Sequence, residues 1–237
     1  MESLSFKDII HNDIKQTFLK AIPVAVEDGA WQLSAIVMSK IILTYGSNAY
    51  AGFSLGGSAE LFTELPVIGF TVAATALAGK AKGQKNGPLF REYFRQQMWM
   101  NAIVSGIGGF VMVVFPTLLM RAVTDIPELI EIGKYYLIVM GFIYIPQNVQ
   151  RTMKGTIYGS MGDTKAPMII AMIGIWLFRI PLAALAAYVF HAPLFFIWIV
   201  IGVDQVARFI MMHFYMKKKG VMQCVALQEE NEAKQTA

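Results

Sequence analysis

Residues 154–181 read KGTIYGSMGDTKAPMIIAMIGIWLFRIP, and this stretch decides the fold. Three glycines, which suit close packing or a positive backbone φ, lie in its polar first half: Gly155, Gly159 and Gly162. Asp163 and Thr164 can accept hydrogen bonds from the free amides of a helix that starts just after them. The second half is apolar as far as Phe190, which is long enough to cross a bilayer. We therefore predict a polar, glycine-rich turn followed by a membrane helix.

The composition of the whole chain differs from that of a soluble domain. Of 237 residues, 56% are hydrophobic and 15% are charged, and the mean hydropathy is +0.52. Soluble domains carry about 25% charged residues. The apolar residues form runs of roughly 20, each long enough to span the hydrocarbon core as a helix. We predict an all-α membrane protein with six transmembrane helices.

The order of these runs predicts three regions. They are a polar lead-in at residues 1–16, a six-helix lobe at residues 17–219 and a polar tail at residues 220–237. The predicted spans are residues 17–43, 49–78, 98–120, 132–154, 168–190 and 194–215, with a basic loop at residues 79–97.

The distribution of basic residues predicts the orientation. Most lysines and arginines lie in segments that would share one side, whereas the opposite loops hold Arg121 and Lys134. Under the positive-inside rule, both termini are cytoplasmic, and we expect a multi-pass protein of the plasma membrane. The net charge of +4 follows this topology and gives no indication of nucleic-acid binding.

Four segments resemble motifs of the multidrug and toxic compound extrusion (MATE) family. Residues 154–170 are similar to its glycine-rich loop, and residues 176–183, WLFRIPLA, are similar to the pattern that follows in the C-terminal half. Pro23 followed by Glu27 resembles the start of that half. Residues 65–83, which begin with Leu-Pro, resemble a further motif of the same half.

The resemblance implies one lobe of a V-shaped, two-lobe transporter. It implies export of cationic or amphipathic organic compounds in exchange for a proton or sodium, which is the coupling ion, and no other cofactor. The family's transporters have two six-helix halves, so a second six-helix lobe is an expected partner. The sequence leaves open whether the chain is a fragment, a truncated gene product, a subunit of a split transporter or a half-size protein that dimerises.

The first span contains two candidate coupling residues, Glu27 and Asp28. A carboxylate near the bilayer centre costs at least ~2.5 kcal/mol, so it should face protein or water. Loss of hydration favours proton uptake by such a group. The resemblance implies that an acidic residue of this helix takes part in proton or sodium coupling, and Glu27 matches the family pattern. The alternative is a structural ion pair with Lys40 or Arg179.

The second span contributes Glu60 and Glu64. They are four residues apart and therefore lie on one face of a helix, which suits attraction of a cationic substrate or ion. The alternative is that the long helix carries one of them into the headgroup region.

The fourth span contributes Gln147 and Asn148, directly after Pro146. Proline frees a backbone carbonyl, and the two amides could complete the shell of an ion or a substrate. The alternative is interhelical hydrogen bonding. In the sixth span, Asp204 and Arg208 are four residues apart, and we expect them to neutralise each other.

The sequence offers no pattern for catalysis. It contains no nucleophile–base arrangement, phosphate-binding loop or dinucleotide motif, and neither its histidines nor its one cysteine have metal-ligand spacing. The chain is therefore predicted not to be an enzyme. Two alternatives to efflux stay open: a related flippase for a lipid-linked saccharide, and a non-transporting membrane fragment. A pyrophosphate head group would call for several intramembrane cations, and we expect only Lys40 and Arg179 there.

Overall fold

The computed structural model describes residues 6–221, with side chains from residue 18 onward except residue 20. Residues 222–237 of the predicted tail and residues 1–5 of the lead-in lie outside this description. The described chain is helical, with short turns between α1 (Phe6–Leu43), α2 (Ser47–Gly83), α3 (Gly87–Val114), α4 (Pro116–Arg121), α5 (Pro127–Met161), α6 (Lys165–Val189) and α7 (Leu194–Lys218).

Six of these helices form the membrane bundle, which confirms the predicted fold class. The helices α2, α3, α5, α6 and α7 are each long and apolar enough to cross a bilayer. Helix α1, with 38 residues, is also long enough, but Glu27 and Asp28 make it less apolar. It packs against α2 and α6 and completes the bundle. Helix α4 has six residues and is too short to cross.

The predicted basic loop at residues 79–97 is wrong. Helix α2 continues to Gly83, and α3 already begins at Gly87. The reason is local: the Asn86 side chain accepts a hydrogen bond from the Leu89 amide at 2.9 Å, and a proline occupies the first turn of α3. Most of the basic residues of this segment are therefore helical, because charge alone does not end a helix outside the hydrocarbon core.

The predicted third span, residues 98–120, is displaced for a related reason. Helix α3 ends at Val114, and a new short helix starts at Pro116. Proline lacks the amide that would continue the hydrogen-bond ladder, and it is well accommodated in a first helical turn. The membrane helix therefore lies earlier in the sequence than its apolar run suggests.

The glycine-rich turn is shorter than predicted, because α5 runs to Met161 and the turn occupies residues 162–164. Gly155 stays helical and packs against α2, where a Cβ atom would lie 2.5 Å from a backbone oxygen. Gly162 ends α5 with a φ of 63°, and a positive φ is one of the two roles that the sequence predicts for these glycines. Asp163 Oδ1 accepts hydrogen bonds from the amides of Lys165 at 3.0 Å and Ala166 at 3.2 Å, which confirms its predicted contact with the next helix.

Helix α5 lies at the centre of the bundle and packs against α2, α3 and α7. Glycines allow the closest approaches. A Cβ atom at Gly109 of α3 would lie 2.6 Å from the Gly141 carbonyl oxygen of α5. Because α5 contacts most other helices, its polar side chains can reach partners on several of them.

Helix α6 contains two π-helical segments. It is α-helical over Lys165–Met172 and Ile180–Ala184 and π-helical over Ile173–Arg179 and Leu185–Val189. Wide π turns are rare and frequently accompany functional sites. The first one contains Gly174, where a Cβ atom would lie 2.5 Å from atoms of α7 side chains. The missing side chain therefore leaves room for the charged residues of α7 beside this turn.

Candidate functional site

A polar pocket with a volume of about 210 Å³ lies between α1, α5, α6 and α7. Its charged lining consists of Glu27, Asp28, Arg151, Lys154 and Arg208. The indole of Trp31 supplies an aromatic wall, and the amides of Gln150 and Gln205 supply neutral polar groups. We call this cavity the polar pocket. It brings the predicted acidic residues of the first span together with cations from two other helices.

Glu27 is paired with a cation of α5. The Lys154 ammonium donates to its Oε1 atom at 2.5 Å, and the Tyr158 hydroxyl donates to its Oε2 atom at 3.3 Å. The sequence offered Lys40 or Arg179 as the alternative partner, and neither fills this role. Lys40 lies exposed on α1. Glu27 is therefore neutralised within the bundle by Lys154, which lies 127 residues further along the chain.

Asp28 differs from its neighbour. It lines the same pocket but is exposed, and among the side chains that the structure describes it has no ion-pair partner. The two adjacent carboxylates are thus held differently, one by an internal cation and one open to the pocket.

Glu60 and Glu64 both face α5, as their spacing predicts, but they meet different groups. Glu64 forms an ion pair with the Arg151 guanidinium. Glu60 is 7% exposed and is bound by neutral donors: the Tyr136 hydroxyl at 2.7 Å and the Gln147 amide at 3.3 Å. Within the described residues, Glu60 forms no ion pair. We call Glu60, Tyr136 and Gln147 the Glu60 cluster.

The amide pair after Pro146 separates in the structure. Gln147 reaches Glu60, and its own Oε1 atom is buried without a hydrogen-bond donor among the described residues. Asn148 points elsewhere: its Nδ2 atom donates to the Tyr144 carbonyl at 3.0 Å, and its own carbonyl accepts from Asn101 of α3 at 3.2 Å. Gln147 therefore belongs to a carboxylate site, whereas Asn148 contacts α3 and the backbone of α5, and its Oδ1 atom is likewise buried without a donor among the described residues.

A second charged group lies beside the polar pocket. Asp204 is fully buried, accepts a hydrogen bond from Arg208 at 2.6 Å and forms an ion pair with Arg179 at 2.7 Å. The expected pairing of Asp204 with Arg208 is confirmed, and Arg179 of α6 joins it. The Trp31 ring centroid lies 4.8 Å and 5.7 Å from the two guanidinium carbons. We call Asp204, Arg179, Arg208 and Trp31 the Asp204 cluster.

The expectation that Lys40 and Arg179 are the only intramembrane cations holds for Arg179, which is buried in the bundle, but is wrong for the exposed Lys40 and leaves out Arg151, Lys154 and Arg208. The predicted fourth span, residues 132–154, has Arg151 and Lys154 at its end, but α5 has 35 residues and carries both into the bundle. A sequence signal for them exists: residues 147, 151, 154 and 158 follow helical spacing and share one face of α5. That face carries the partners of Glu60, Glu64 and Glu27 in turn.

The chain resembles known transporter sequences over most of its length. The model of the MatE family matches residues 23–185. The probable multidrug resistance protein NorM of Thermotoga maritima is 30% identical over 194 residues, which are 82% of this chain and 42% of the relative. The probable multidrug resistance protein YoeA of Bacillus subtilis is 20% identical over 75% of this chain and 38% of the relative. The chain thus spans less than half the length of these relatives.

Solved structures share the same fold. A MOP superfamily transporter from Pyrococcus furiosus aligns with a TM-score of 0.81 at 13% identity, over 90% of this chain and 48% of that one. The MATE transporter VcmN of Vibrio cholerae aligns with a TM-score of 0.78 at 18% identity, over 93% of this chain and 51% of that one. The six-helix bundle therefore has the fold of one half of a two-lobe transporter, and the family match shows that the chain belongs to the MatE family, whose members are membrane transporters and not enzymes.

Proposed function

We propose that this chain forms one lobe of a secondary transporter that exports cationic or amphipathic compounds in exchange for protons or sodium. The names of its relatives, which describe multidrug resistance proteins, support the substrate class. Alternating access requires two lobes that move against each other, so the proposal includes a second six-helix lobe, either another copy or a separate half. The positive-inside distribution favours a plasma-membrane location with cytoplasmic termini.

The observation that carries the proposal is the burial of Glu60 without an ion-pair partner in the part of the chain that the structure describes. An ionised carboxylate inside a membrane bundle is costly unless a positive charge accompanies it. Glu27, Glu64 and Asp204 each have a lysine or arginine as partner, whereas Glu60 has two neutral donors. A proton or a sodium ion would supply the missing charge. Gln147, whose Nε2 atom donates to Glu60, would offer its unpartnered Oε1 atom as a further oxygen ligand for sodium.

In this proposal the polar pocket is the cargo site. Asp28 attracts a cationic substrate because none of the described cations forms an ion pair with it. Glu27 contributes when the substrate's positive group competes with the Lys154 ammonium for its carboxylate. Glu64 lies one step further along α5 and is held by Arg151. Ion binding at Glu60 and cargo binding at the pocket are connected through α5, which supplies side chains to both.

The test is gradient-driven efflux from proteoliposomes. The chain is reconstituted, its oligomeric state is measured by mass, and the vesicles are loaded with a fluorescent organic cation. A pH or a sodium gradient is then imposed. We expect efflux by a two-lobe assembly, its loss in Glu60→Gln, and its retention in the matched variant Glu131→Gln, which removes an exposed carboxylate near the start of α5.

Two results would contradict the proposal. One is undiminished gradient-driven efflux in Glu60→Gln, which would remove Glu60 from coupling. The other is the absence of any efflux by a demonstrated dimer under both gradients. Glu27→Gln separates the two sites. It should raise the substrate concentration that gives half-maximal efflux and leave the response to the ion gradient unchanged.

The bundle contains more cations than the sequence predicts, which bears on the flippase alternative, but they do not form a basic cavity. Arg151, Lys154 and Arg208 line the polar pocket, yet Glu64 pairs with Arg151, Glu27 pairs with Lys154, and Arg208 shares Asp204 with Arg179. A pyrophosphate head group would need several uncompensated positive charges. The balance of charges therefore favours cationic and amphipathic cargo.

A further inference from the structure

We propose that an apolar groove between α5 and α7 binds an anionic phospholipid, with the head-group phosphate at Lys217 and one acyl chain along the groove. The site is separate from the polar pocket. Gln205 and Arg208, which line that pocket, lie on the opposite face of α7 from Val206, Ile210 and Lys217. The inference therefore goes beyond the proposed function and does not depend on it.

Two apolar hollows follow each other along the seam between α5 and α7. The first has a volume of about 430 Å³ and is lined by side chains of these two helices. The second has a volume of about 350 Å³, lies nearer the end of α7 and is also bordered by Phe94 and Met98 of α3. Ile210 lines the first hollow, and His213, one turn further along α7, lines the second. We call the two hollows together the α5–α7 groove.

The face of α7 that lines this groove has a regular pattern. Positions 203, 206, 210, 213 and 217 are spaced by three or four residues and therefore form one stripe along the helix. In order, the residues of the stripe are Val, Val, Ile, His and Lys, so it changes from apolar to basic toward the end of α7. A phospholipid has the same order of polarity from its acyl chain to its phosphate.

The charges at the basic end of the groove are complementary to a phosphate. Lys217 is exposed and lines the second hollow, and Lys218 follows it in the last turn of α7. Among the described residues, neither lysine forms an ion pair, and no carboxylate belongs to the lining of either hollow. Arg91 shares a face of α3 with Phe94, so a second helix brings a cation to the same end. An anionic head group is therefore favoured over a zwitterionic one.

The length of the groove suits one leaflet of a membrane. Half of a hydrocarbon core of ~30 Å is ~15 Å, which corresponds to about ten helical residues. Ten residues before Lys217 lies Ala207, which lines the first hollow. An acyl chain whose phosphate contacts Lys217 thus extends through the second hollow into the first. The positive-inside rule assigns this end of the bundle to the cytoplasmic leaflet, which contains anionic lipids.

The shape of the groove favours an acyl chain over a helix of another copy. Packed helices such as α5 and α7 lie about 8–10 Å apart, whereas a helix with its side chains is about 10–12 Å wide. A further helix would rest on the rim of the groove, on side chains such as Phe142, which is 75% exposed, and leave the hollows below it unfilled. A single flexible chain enters them.

The test is native mass spectrometry of the purified chain, titrated with one of two lipids that differ in head-group charge. These are dioleoyl phosphatidylglycerol, which is anionic, and dioleoyl phosphatidylcholine, which is zwitterionic. We expect the first bound phosphatidylglycerol to have an affinity about fivefold higher or more, because each lysine near a membrane surface contributes about that factor. This comparison uses the unaltered chain and does not depend on the folding of any variant.

The variants assign the preference to Lys217. Lys217→Gln should remove most of the preference for phosphatidylglycerol and leave phosphatidylcholine binding unchanged, whereas Lys217→Glu should reverse the preference. Lys165→Gln is the matched control, because Lys165 is an exposed lysine that is absent from the lining of the groove, and it should keep the full preference. Size-exclusion profiles establish which variants are folded.

A second pair of ligands tests the acyl chain. Dihexanoyl phosphatidylglycerol has the same head group but buries fewer methylene groups, so it should bind at least about tenfold more weakly than the dioleoyl lipid. Glycerol phosphate has no acyl chain and should not displace the bound lipid. Displacement by glycerol phosphate would reduce the site to a phosphate contact and overturn the role of the groove.

Further outcomes would overturn the inference. One is equal affinity for the two dioleoyl lipids, and another is a preference that a folded Lys217→Gln variant retains in full. Loss of the bound lipid whenever the chain forms a dimer would instead make the groove an interface between copies. Since none of these measurements involves efflux or the polar pocket, their failure leaves the proposed function untouched, and failure of efflux leaves the lipid site untouched.

Discussion

The Glu60 cluster and the Asp204 cluster are two solutions to the same problem, a carboxylate buried inside a membrane bundle. Asp204 is enclosed by two guanidinium groups, so its charge is fixed by the protein. Glu60 is enclosed by a phenol and an amide, so the side chains that the structure describes supply no ion-pair partner for it. The difference shows how one bundle separates permanent charge, which holds helices together, from a site that an exchangeable ion can occupy.

The contrast arises along a single face of α5. Tyr136 and Gln147 contribute neutral donors to Glu60, and the next positions of the same face, Arg151 and Lys154, contribute cations to Glu64 and Glu27. The change from neutral to charged side chains occurs within about one turn, from residue 147 to residue 151. The partner on α5, rather than the acidic residue itself, therefore decides the role of each carboxylate.

The largest expected effect is that of Asp204→Asn. Removing this charge leaves two buried guanidinium groups without an anion, which should destabilise the bundle by about 3–5 kcal/mol. Unfolding in mild detergent, followed by tryptophan fluorescence, measures the change. Asp125→Asn, in an exposed turn, is the matched control and should be nearly neutral. A decrease in the free energy of unfolding below about 1 kcal/mol would mean that Asp204 is not a permanent charge that holds the helices together.

The next effect concerns the Glu27–Lys154 pair, whose side chains are 12% and 22% exposed. A double-mutant cycle of Glu27→Gln and Lys154→Gln should give a coupling energy of about 1–2 kcal/mol. The value is smaller than for Asp204 because water reaches this pair. Unfolding of the two single variants and the double variant provides the cycle. Additive effects, within about 0.3 kcal/mol, would remove this pair from the class of permanent charges.

Glu60→Gln should have a small effect on stability, below about 1 kcal/mol. The amide keeps an oxygen that accepts from the Tyr136 hydroxyl, and it removes no ion pair. The same unfolding assay tests this expectation beside Asp204→Asn. A cost as large as that of Asp204→Asn would erase the distinction between the two clusters, because it would mean that Glu60 stabilises the fold as a charged group.

The smallest effect is expected at the turn before α6, outside the spans. Burial raises the pKa of Asp163, but hydrogen bonds from the Tyr215 hydroxyl at 2.5 Å and from the Ala166 and Lys165 amides outweigh it, and the pKa lies below its ordinary value. Asp163 therefore stabilises the fold above its unfolded pKa of about 3.9, and this contribution disappears as the pH falls through the lowered folded value. Asp163→Asn should flatten the stability profile in that acid range.

Acid titration of unfolding, with the exposed Asp125→Asn variant in parallel, measures the contribution of Asp163. An unchanged acid slope in Asp163→Asn would mean that the hydrogen bonds from α6 and Tyr215 do not favour its ionised form. Asp163 is thus a third kind of carboxylate, held by neutral donors as Glu60 is but within reach of water.

The sequence predicts the helical bundle well because the apolar runs and the cap at Asp163 are local signals. Helix ends are predicted less well: residues 79–97 are rich in charge, but helices continue beyond the hydrocarbon core, and Asn86 and the proline after it define the true boundary. The excess length of α5 has the same origin. Bilayer thickness limits the apolar part of a helix and not the helix itself.

The candidate site could be predicted in part. The acidic residues stand out because charge inside an apolar run is costly, and Glu60 and Glu64 face α5 as their spacing indicates. Their partners could not be identified from the chain, because Lys154 and Arg151 lie 127 and 87 residues from the carboxylates that they bind. Arg179 reaches Asp204 from another helix. Such pairings depend on which helix faces pack against each other. A single sequence shows no local pattern that identifies partners so far apart along the chain.

The π turn at Ile173–Arg179 rotates the side chains of α6 that follow it relative to those that precede it. An α-helix advances about 100° per residue, and a π turn accommodates one residue more than an α turn, so the side chains beyond it are rotated relative to a continuous α-helix. The stretch before Ile173 and the stretch after Arg179 therefore present faces that a regular helix could not align with the same neighbours. Deleting one residue between them would restore the regular phase and turn the far half of α6 by roughly one residue step. The length of this segment, as much as its chemistry, is thus part of the information that assembles the bundle.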